Sequence, residues 1–176
     1  MENSENRRIA EFQKVDEEQF VKDFLSTFPD ETKESAAAAY ESIILPKRAT
    51  KGSAGYDIRT TKSFSLAPGG SIKIPTGISV KMREDWALFV FPRSGLGFKF
   101  RFQLDNTVGV IDSDYYFSDN QGHIFVKMTN DSRDGKTVSL TQGDAFAQGI
   151  FLQYGVTVDD DTTDSRNGGF GSTDRR

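Results

Sequence analysis

Asn106-Thr-Val-Gly-Val-Ile-Asp-Ser-Asp-Tyr-Tyr116 is a short apolar run that ends on two acids, Asp112 and Asp114, with a tyrosine directly after. The apolar part, residues 108–111, is far too short for a helix and is bounded by turn formers, so it reads as one arm of a hairpin. The same pattern repeats outward in both directions. Residues 43–45, 71–74, 77–82, 87–91, 123–128, 137–140 and 145–152 are all apolar runs of strand length. Ile78, Val80 and Met82 alternate with the period of two that puts side chains on one face of a strand. Pro68-Gly-Gly70, Pro75-Thr-Gly77 and Arg133-Asp-Gly135 supply turn chemistry between them. Many short strands at close spacing predict a mainly β fold, a barrel or jelly roll, and not a βαβ sheet.

Only the start of the chain is different. Phe20, Val21, Phe24, Leu25 and Phe28 recur at helical spacing, with Asp16 as N-cap and Gln19 at the capping-box position. Pro29-Asp30 ends that helix and opens a second, through the alanines at 36–39 to about Tyr40. The expected layout is one domain over residues 1–176. A helical addition spans 16–41, a β-barrel 42–158, and a mobile, acidic and glycine-rich tail 159–176.

Composition narrows the chemistry. The chain has 176 residues and a net charge of -4, with a pI near 5.1, so it offers no basic face for duplex nucleic acid. It has no cysteine, which removes thiolate nucleophiles, zinc thiolates and disulfides and fits the cytoplasm. One histidine, His123, rules out a histidine-rich metal site, and a Ser-His-Asp triad would have to use it. No apolar run approaches the ~20 residues of a membrane span. The first eight residues lack the apolar stretch of a signal peptide.

Three segments carry groups suited to phosphate chemistry. Phe91-Pro-Arg-Ser-Gly-Leu-Gly97 is a turn that offers a guanidinium, a hydroxyl and approachable amides. Arg166-Asn-Gly-Gly-Phe-Gly-Ser-Thr173 repeats those groups around Phe170, a ring able to stack on a base. In the opening stretch Asn106 can donate to and accept from a nucleobase edge. Asp112 and Asp114, two apart on a strand, would share a face, and one could activate a water. Together these features point to phosphate-ester hydrolysis.

These residues resemble the trimeric-type dUTP pyrophosphatase (deoxyuridine triphosphatase, dUTPase) family. Five segments match its motifs in order. They are Gly52-Ser-Ala-Gly-Tyr-Asp-Ile58, Pro92-Arg-Ser-Gly-Leu-Gly97, Asn106 with Gly109-Val-Ile-Asp-Ser-Asp-Tyr115, Gly143-Asp-Ala-Phe-Ala-Gln148 and Arg166 to Thr173. Leu45-Pro-Lys-Arg-Ala-Thr50 and Pro75-Thr-Gly-Ile78 match as well, so the likeness covers about residues 42–176.

The resemblance implies a β-clip, jelly-roll-like subunit of a homotrimer with shared active sites. The implied reaction takes dUTP to dUMP and pyrophosphate, which keeps uracil out of DNA and supplies dUMP for dTMP synthesis. It assigns Arg93, Ser94, Gly95 and Gln148 to the phosphates, and Asn106 with the backbone of Gly109, Val110 and Ile111 to uracil. Tyr115 would lie against deoxyribose, Asp112 would be the base and Asp57 a supporting residue. Arg166 would reach the γ-phosphate, Phe170 would stack on uracil, and Gly171, Ser172 and Thr173 would add phosphate contacts. Magnesium (Mg2+) would be held mainly by the triphosphate, in keeping with its preference for phosphate oxygens and water.

The chain departs from the family at residues 116–121, a short insertion after Tyr115, and at Asn167 and Asp174, where glycine is common. The related dCTP deaminases are the runner-up enzyme, but they carry a glutamate motif where this chain has Asp112. Some phage members of the family bind repressor-type proteins. A regulatory protein partner for the added helices or the insertion is therefore a further reading.

Overall fold

The computed structural model of the chain describes residues 8–163. Its elements run β1 (Ala10–Lys14), α1 (Glu17–Thr27), α2 (Lys33–Glu41), β2 (Lys47–Arg48), β3 (Tyr56–Arg59), β4 (Phe64–Leu66), β5 (Ser71–Pro75), β6 (Ile78–Met82) and β7 (Trp86–Pro92). They continue α3 (Ser94–Phe100), β8 (Phe102–Leu104), β9 (Gly109–Ile111), a 3-10 turn (Ser113–Phe117), β10 (Phe125–Asn130), β11 (Val138–Leu140) and β12 (Ala145–Gln153). Among the described residues the strands do not close into a barrel. They form a five-stranded sheet ordered β2-β3-β12-β7-β9, a three-stranded sheet β5-β10-β8, and the pairs β1-β6 and β11-β4. The architecture is mainly β and jelly-roll-like.

Alternation along the strands builds the core. Val126, Met128 and Asn130 of β10 turn inward while Lys127 turns out. Leu88 and Val90 of β7 meet Ile58, Ile74, Phe102, Ile111 and Phe146 in one apolar cluster. Asn130 is fully buried yet satisfied: its Nδ2 donates to Leu66 O and Lys136 O, and its Oδ1 accepts from Ser132 N. A buried amide with all its bonds made fixes the loops around it instead of costing stability.

Several elements differ from the sequence reading. Asp16 does stand at the N-cap of α1, but its carboxylate does not cap the helix. It accepts from Gln121 Nε2 at 3.0 Å instead, and Gln19 turns to Asp23. The second helix starts at Thr32, not at Pro29-Asp30, because Thr32 and Ser35 close a reciprocal capping box. Residues 43–45 are not a strand, since Ile43 is drawn into the core and the ladder begins at Lys47. Ala10–Lys14, unremarkable in composition, pairs with β6 from Ala10↔Met82 to Lys14↔Ile78. The N-terminal addition is therefore a strand and two helices.

The addition has its own apolar cluster, Val15, Phe20, Phe24, Ala36 and Ala39, and Phe28 and Ile43 pack on both this cluster and the main core. Its polar anchor is His123, which is fully buried. Gly77 N–H donates to His123 Nε2 at 2.8 Å, so the ring carries its proton on Nδ1 and donates to Asp23 Oδ2 at 2.6 Å. Gly77 has φ of 72°, and a Cβ there would fall 2.2 Å from Ile43 Cδ1, so the tight turn and the docked helix both depend on glycine. Burial pushes the Asp23 carboxyl up, but hydrogen bonds from His123 and Gln19 outweigh it and hold it below its usual value.

Asp23→Ala leaves a buried N–H without its acceptor and should cost about 1–3 kcal/mol in urea denaturation at neutral pH. A carboxyl whose pKa is lowered by folding contributes above its unfolded value and loses that contribution as pH falls through the folded one. The gap between parent and variant should therefore begin to narrow as pH falls below about 3.8. A gap that stays constant into acid would contradict the pairing.

Candidate active site

The order of motifs along the chain becomes neighbour order across the five-stranded sheet. Gln148 of β12 lies directly opposite Asp57 of β3 on one side and Phe91 of β7 on the other. Arg93 follows at the end of β7, where its Nε stands 3.4 Å from Asp57 Oδ1. Gln148 Nε2 donates to Pro92 O at 3.1 Å. Gly55 makes room for that amide, because a Cβ at residue 55 would lie 2.4 Å from Gln148 Oε1. Asp57 thus orients a guanidinium that is 43% exposed and free to meet an anion.

Residues 94–97 are the start of α3, not the turn that glycine content suggested. Leu96 N and Gly97 N both reach Arg93 O, which winds the segment into a helix immediately after Arg93. The amides of Ser94 and Gly95 belong to the first turn, whose N–H groups have no partner within a helix. Both residues are exposed. Asp57, Arg93, Ser94, Gly95 and Gln148 therefore form one patch with the donors an anionic group requires.

The Asn106 to Tyr115 segment sits elsewhere. Residues 105–108 form a tight turn in which Thr107 N–H donates to Leu104 O, Val108 N–H donates to Asn106 O, and Thr107 takes a positive φ of 67°. Asp105 ties this turn to β10 through Lys127 Nζ at 2.8 Å. Hydrogen bonds from Lys127 and Thr129 hold the Asp105 carboxyl below its usual range. Beside the turn lies a depression of about 340 Å³. Asn106, Gly109 and Ile111 line it, while the Val110 side chain is half-exposed on the other face of the sheet.

Asp112 and Asp114 do not share a strand face. β9 stops at Ile111, and Asp112 takes the N-cap position of the 3-10 turn with no capping bond from its side chain. Asp112 is half-buried and Asp114 exposed. Tyr115, expected against a sugar, lies in the core at 2% exposure, its hydroxyl donating to His123 O at 2.8 Å. It is not among the residues that line the depression. His123 cannot complete a nucleophilic triad, since both ring nitrogens are committed to Gly77 and Asp23. Arg166, Phe170, Gly171, Ser172 and Thr173 lie outside the described residues.

Sequence reasoning missed part of the depression's wall: Val90, Leu104, Val126, Phe125, Lys73 and Lys127. The period of β10 marks Val126 as inward, a usable signal. Nothing local marks Lys73, which reaches the site because β5 pairs with β10 in the register Lys73↔Lys127. Its ammonium lies 4.4 Å from the centre of the Phe125 ring, a cation–π contact.

The two groups are offset along β7, with Gly109 beside Val90 and Asp112 beyond the Leu88–Ile111 pair. Leu88 pairs with Ile111, and Arg93 lies five residues further along, about 17 Å of strand.

Comparison with known proteins places this geometry. The dUTPase family model matches residues 41–174. The deoxyuridine 5'-triphosphate nucleotidohydrolase of Lactococcus lactis is 41% identical over 134 residues, covering 74% of this chain and 88% of that protein. The enzyme of that name from Enterobacter sp. (strain 638) is 39% identical over 140 residues, 75% of this chain and 88% of that protein. Among solved structures, the dUTPase from Streptococcus mutans superposes with a TM-score of 0.60 at 32% identity, covering 85% of this chain and 98% of its own. A dUTPase from phage phi11 of S. aureus shares the fold with a TM-score of 0.58 at 22% identity, over 70% of this chain and 92% of its own. By its matched motifs, their order and these relatives, the chain belongs to the dUTPase family.

Proposed function

We propose that this protein hydrolyses dUTP to dUMP and pyrophosphate, at a site that two or more copies of the chain build together in a homotrimer. The observation that carries the shared site is the length of β7. A general base works within about 3 Å of the proton it takes. In one chain, however, Asp112 and the patch around Arg93 stand at opposite ends of a seven-residue strand. A second copy that brings its patch to the first copy's depression removes the conflict. Half-exposed Phe89, Phe91 and Ile150, with Val110 and Leu152, give the outer face of the sheet an apolar stripe suited to packing against another copy.

Within that frame each residue has a task. The depression takes the nucleoside, with Asn106 and the backbone of Gly109, Val110 and Ile111 reading the uracil edge. Backbone donors and acceptors separate uracil from cytosine. Rigid walls exclude the thymine methyl, which a loose pocket would reject by only about 1–3 kcal/mol. Tyr115 is fixed on His123 O behind this segment, and the deoxyribose contact and exclusion of a 2′-hydroxyl are the roles that the family resemblance assigns it. Asp112 takes a proton from the water that attacks the α-phosphorus, and pyrophosphate leaves in line. Arg93, Ser94, Gly95 and Gln148 of a neighbouring copy balance the phosphate charge, with Asp57 holding Arg93 in aim. Arg166, Phe170, Gly171, Ser172 and Thr173 take the γ-phosphate, uracil-stacking and phosphate roles that the family resemblance assigns them.

Among the described residues no group of three or more His, Asp or Glu side chains is placed to hold a metal. As the family resemblance implies, magnesium would be held mainly by phosphate oxygens and water, in keeping with its preferred ligands. Bound there, magnesium would offset phosphate charge. Among the described residues no helix is long and apolar enough to cross a membrane. We place the enzyme in the cytoplasm, working as one domain in which residues 159–176 complete the site.

Hydrolysis of dUTP, dCTP, dTTP and UTP with magnesium tests the reading. Only dUTP should turn over quickly, yielding dUMP and pyrophosphate, and Asp112→Asn should lower kcat by about a hundredfold or more while nucleotide still binds. Ammonia release from dCTP, or parent-like turnover by Asp112→Asn, would contradict it. Subunit mixing tests the shared site. Asp112→Asn and Arg93→Ala should each be nearly inactive alone and recover activity when unfolded and refolded together. Mixtures that stay as inactive as their parts would show that each chain works by itself.

A further inference from the structure

The N-terminal addition and the loop after Asp112 grip each other at three points. Tyr116 Oη donates to Gln13 Oε1 at 2.8 Å. Asp16 and Gln121 bond twice: Asp16 N–H donates to Gln121 Oε1 at 2.9 Å, and Gln121 Nε2 donates to Asp16 Oδ2 at 3.0 Å. The third point is the buried His123–Asp23 bond. Each link joins residues at least 100 apart in sequence. The gripping side is itself fixed, since β1 is laddered to β6 and Lys14 Nζ donates to Tyr40 O at 2.9 Å.

The gripped side is a relay of turns that leads back to Asp112. Tyr115 N–H donates to Asp112 O, Ser118 N–H to Tyr115 O, Gln121 N–H to Ser118 O and His123 N–H to Asn120 O. Ser118 Oγ also donates to Tyr115 O at 2.6 Å, and Asn120 Nδ2 donates to Tyr115 Oη at 2.9 Å. Gly122 closes the loop on itself. Its φ is 68°, and a Cβ there would lie 2.7 Å from the Cα of Tyr116. A loop bonded turn to turn has little slack, so a shift at Tyr116 or Gln121 is passed to Asp112. The nucleobase-facing segment is anchored separately, through Asp105 and Lys127 and through the β9–β7 ladder.

From this geometry we infer that Gln13, Asp16, Tyr116 and Gln121 are positioning residues for Asp112. The N-terminal addition and the insertion at residues 116–121 are one device that aims the base from outside the site. The inference rests on Asp112 being the base. It also assigns the addition a catalytic purpose, although none of its residues touches the depression. Misplacement of a reacting group by about 1 Å can cost a hundredfold in rate, so loosening one grip should be visible in kcat.

The test is steady-state dUTP hydrolysis by the full chain carrying Tyr116→Phe, Gln13→Leu, Gln121→Ala or Gln13→Glu, beside Asp112→Asn. The first three should lose about tenfold in kcat, with KM and melting temperature close to the parent's. Gln13→Glu keeps an acceptor for Tyr116 Oη and should stay within about twofold of the parent. Tyr116→Phe combined with Gln13→Leu should be no worse than either alone, because both break one bond. Parent-like kcat in Tyr116→Phe and Gln121→Ala, with Asp112→Asn inactive, would overturn the positioning role and leave the base assignment standing. So would losses that appear in KM or that follow melting temperature. An active Asp112→Asn would overturn the base assignment, and this inference with it.

Discussion

Antiparallel pairing of β7 with β12 on one side and β9 on the other sets the relative positions of the candidate site residues among the described residues. Through β12 it brings Gln148 and Asp57 beside the end of β7, so that Arg93 emerges next to an acid and an amide. Through β9 it holds Gly109 to Ile111 against Leu88 to Val90, the middle of the same strand. Ladder hydrogen bonds do not slide, because a slip of one residue would turn Leu88 and Val90 out of the core. The separation between Arg93 and Asp112 is therefore a property of the register. Neither side chain can change it by adopting another rotamer.

That separation explains features that look unrelated in a single chain. The outer face of the sheet is apolar, and among the described residues Val110 and Leu152 on it stay about half exposed. Arg93 is held by Asp57 yet remains 43% exposed, a guanidinium kept in aim and not used up in a buried ion pair. The depression beside Asn106 has its own bracing, an Asp105–Lys127 pair and the cation–π contact of Lys73, independent of the patch around Arg93. In the proposed shared site such bracing would keep each half rigid before the copies meet.

Much of this was legible in the residues. Period-two alternation and turn residues mark β5 to β7 and β9 to β12 to within a residue or two, since each is a strand with one face in the core. Arg93, Ser94 and Gly95 stand out as a guanidinium, a hydroxyl and an approachable amide, whereas Gln148 and Asp57 are singled out only through the family resemblance. Other elements could not be read locally. β1 has no apolar run and is a strand only because β6 has an open edge to pair with. The 3-10 turn after Ile111 depends on the insertion folding back through Gly122, so Asp112 and Asp114 seemed to share a strand that ends before them. Asp16 looked like a helix cap because capping is a local rule. In the fold its carboxylate is claimed by Gln121, a residue 105 positions away. Lys73 and Phe125 reach the depression only through the β5–β10 register.

The most direct test of the account is a crystal structure with a non-hydrolysable dUTP analogue and magnesium. One nucleotide should place its uracil on Asn106 and Gly109 to Ile111 of one copy, and its phosphates on Arg93, Ser94 and Gln148 of another, with the Asp112 carboxylate facing the α-phosphorus. A nucleotide held by both groups of a single chain would contradict it, because the register of β7 and β9 would then not set the distance on which the shared site depends.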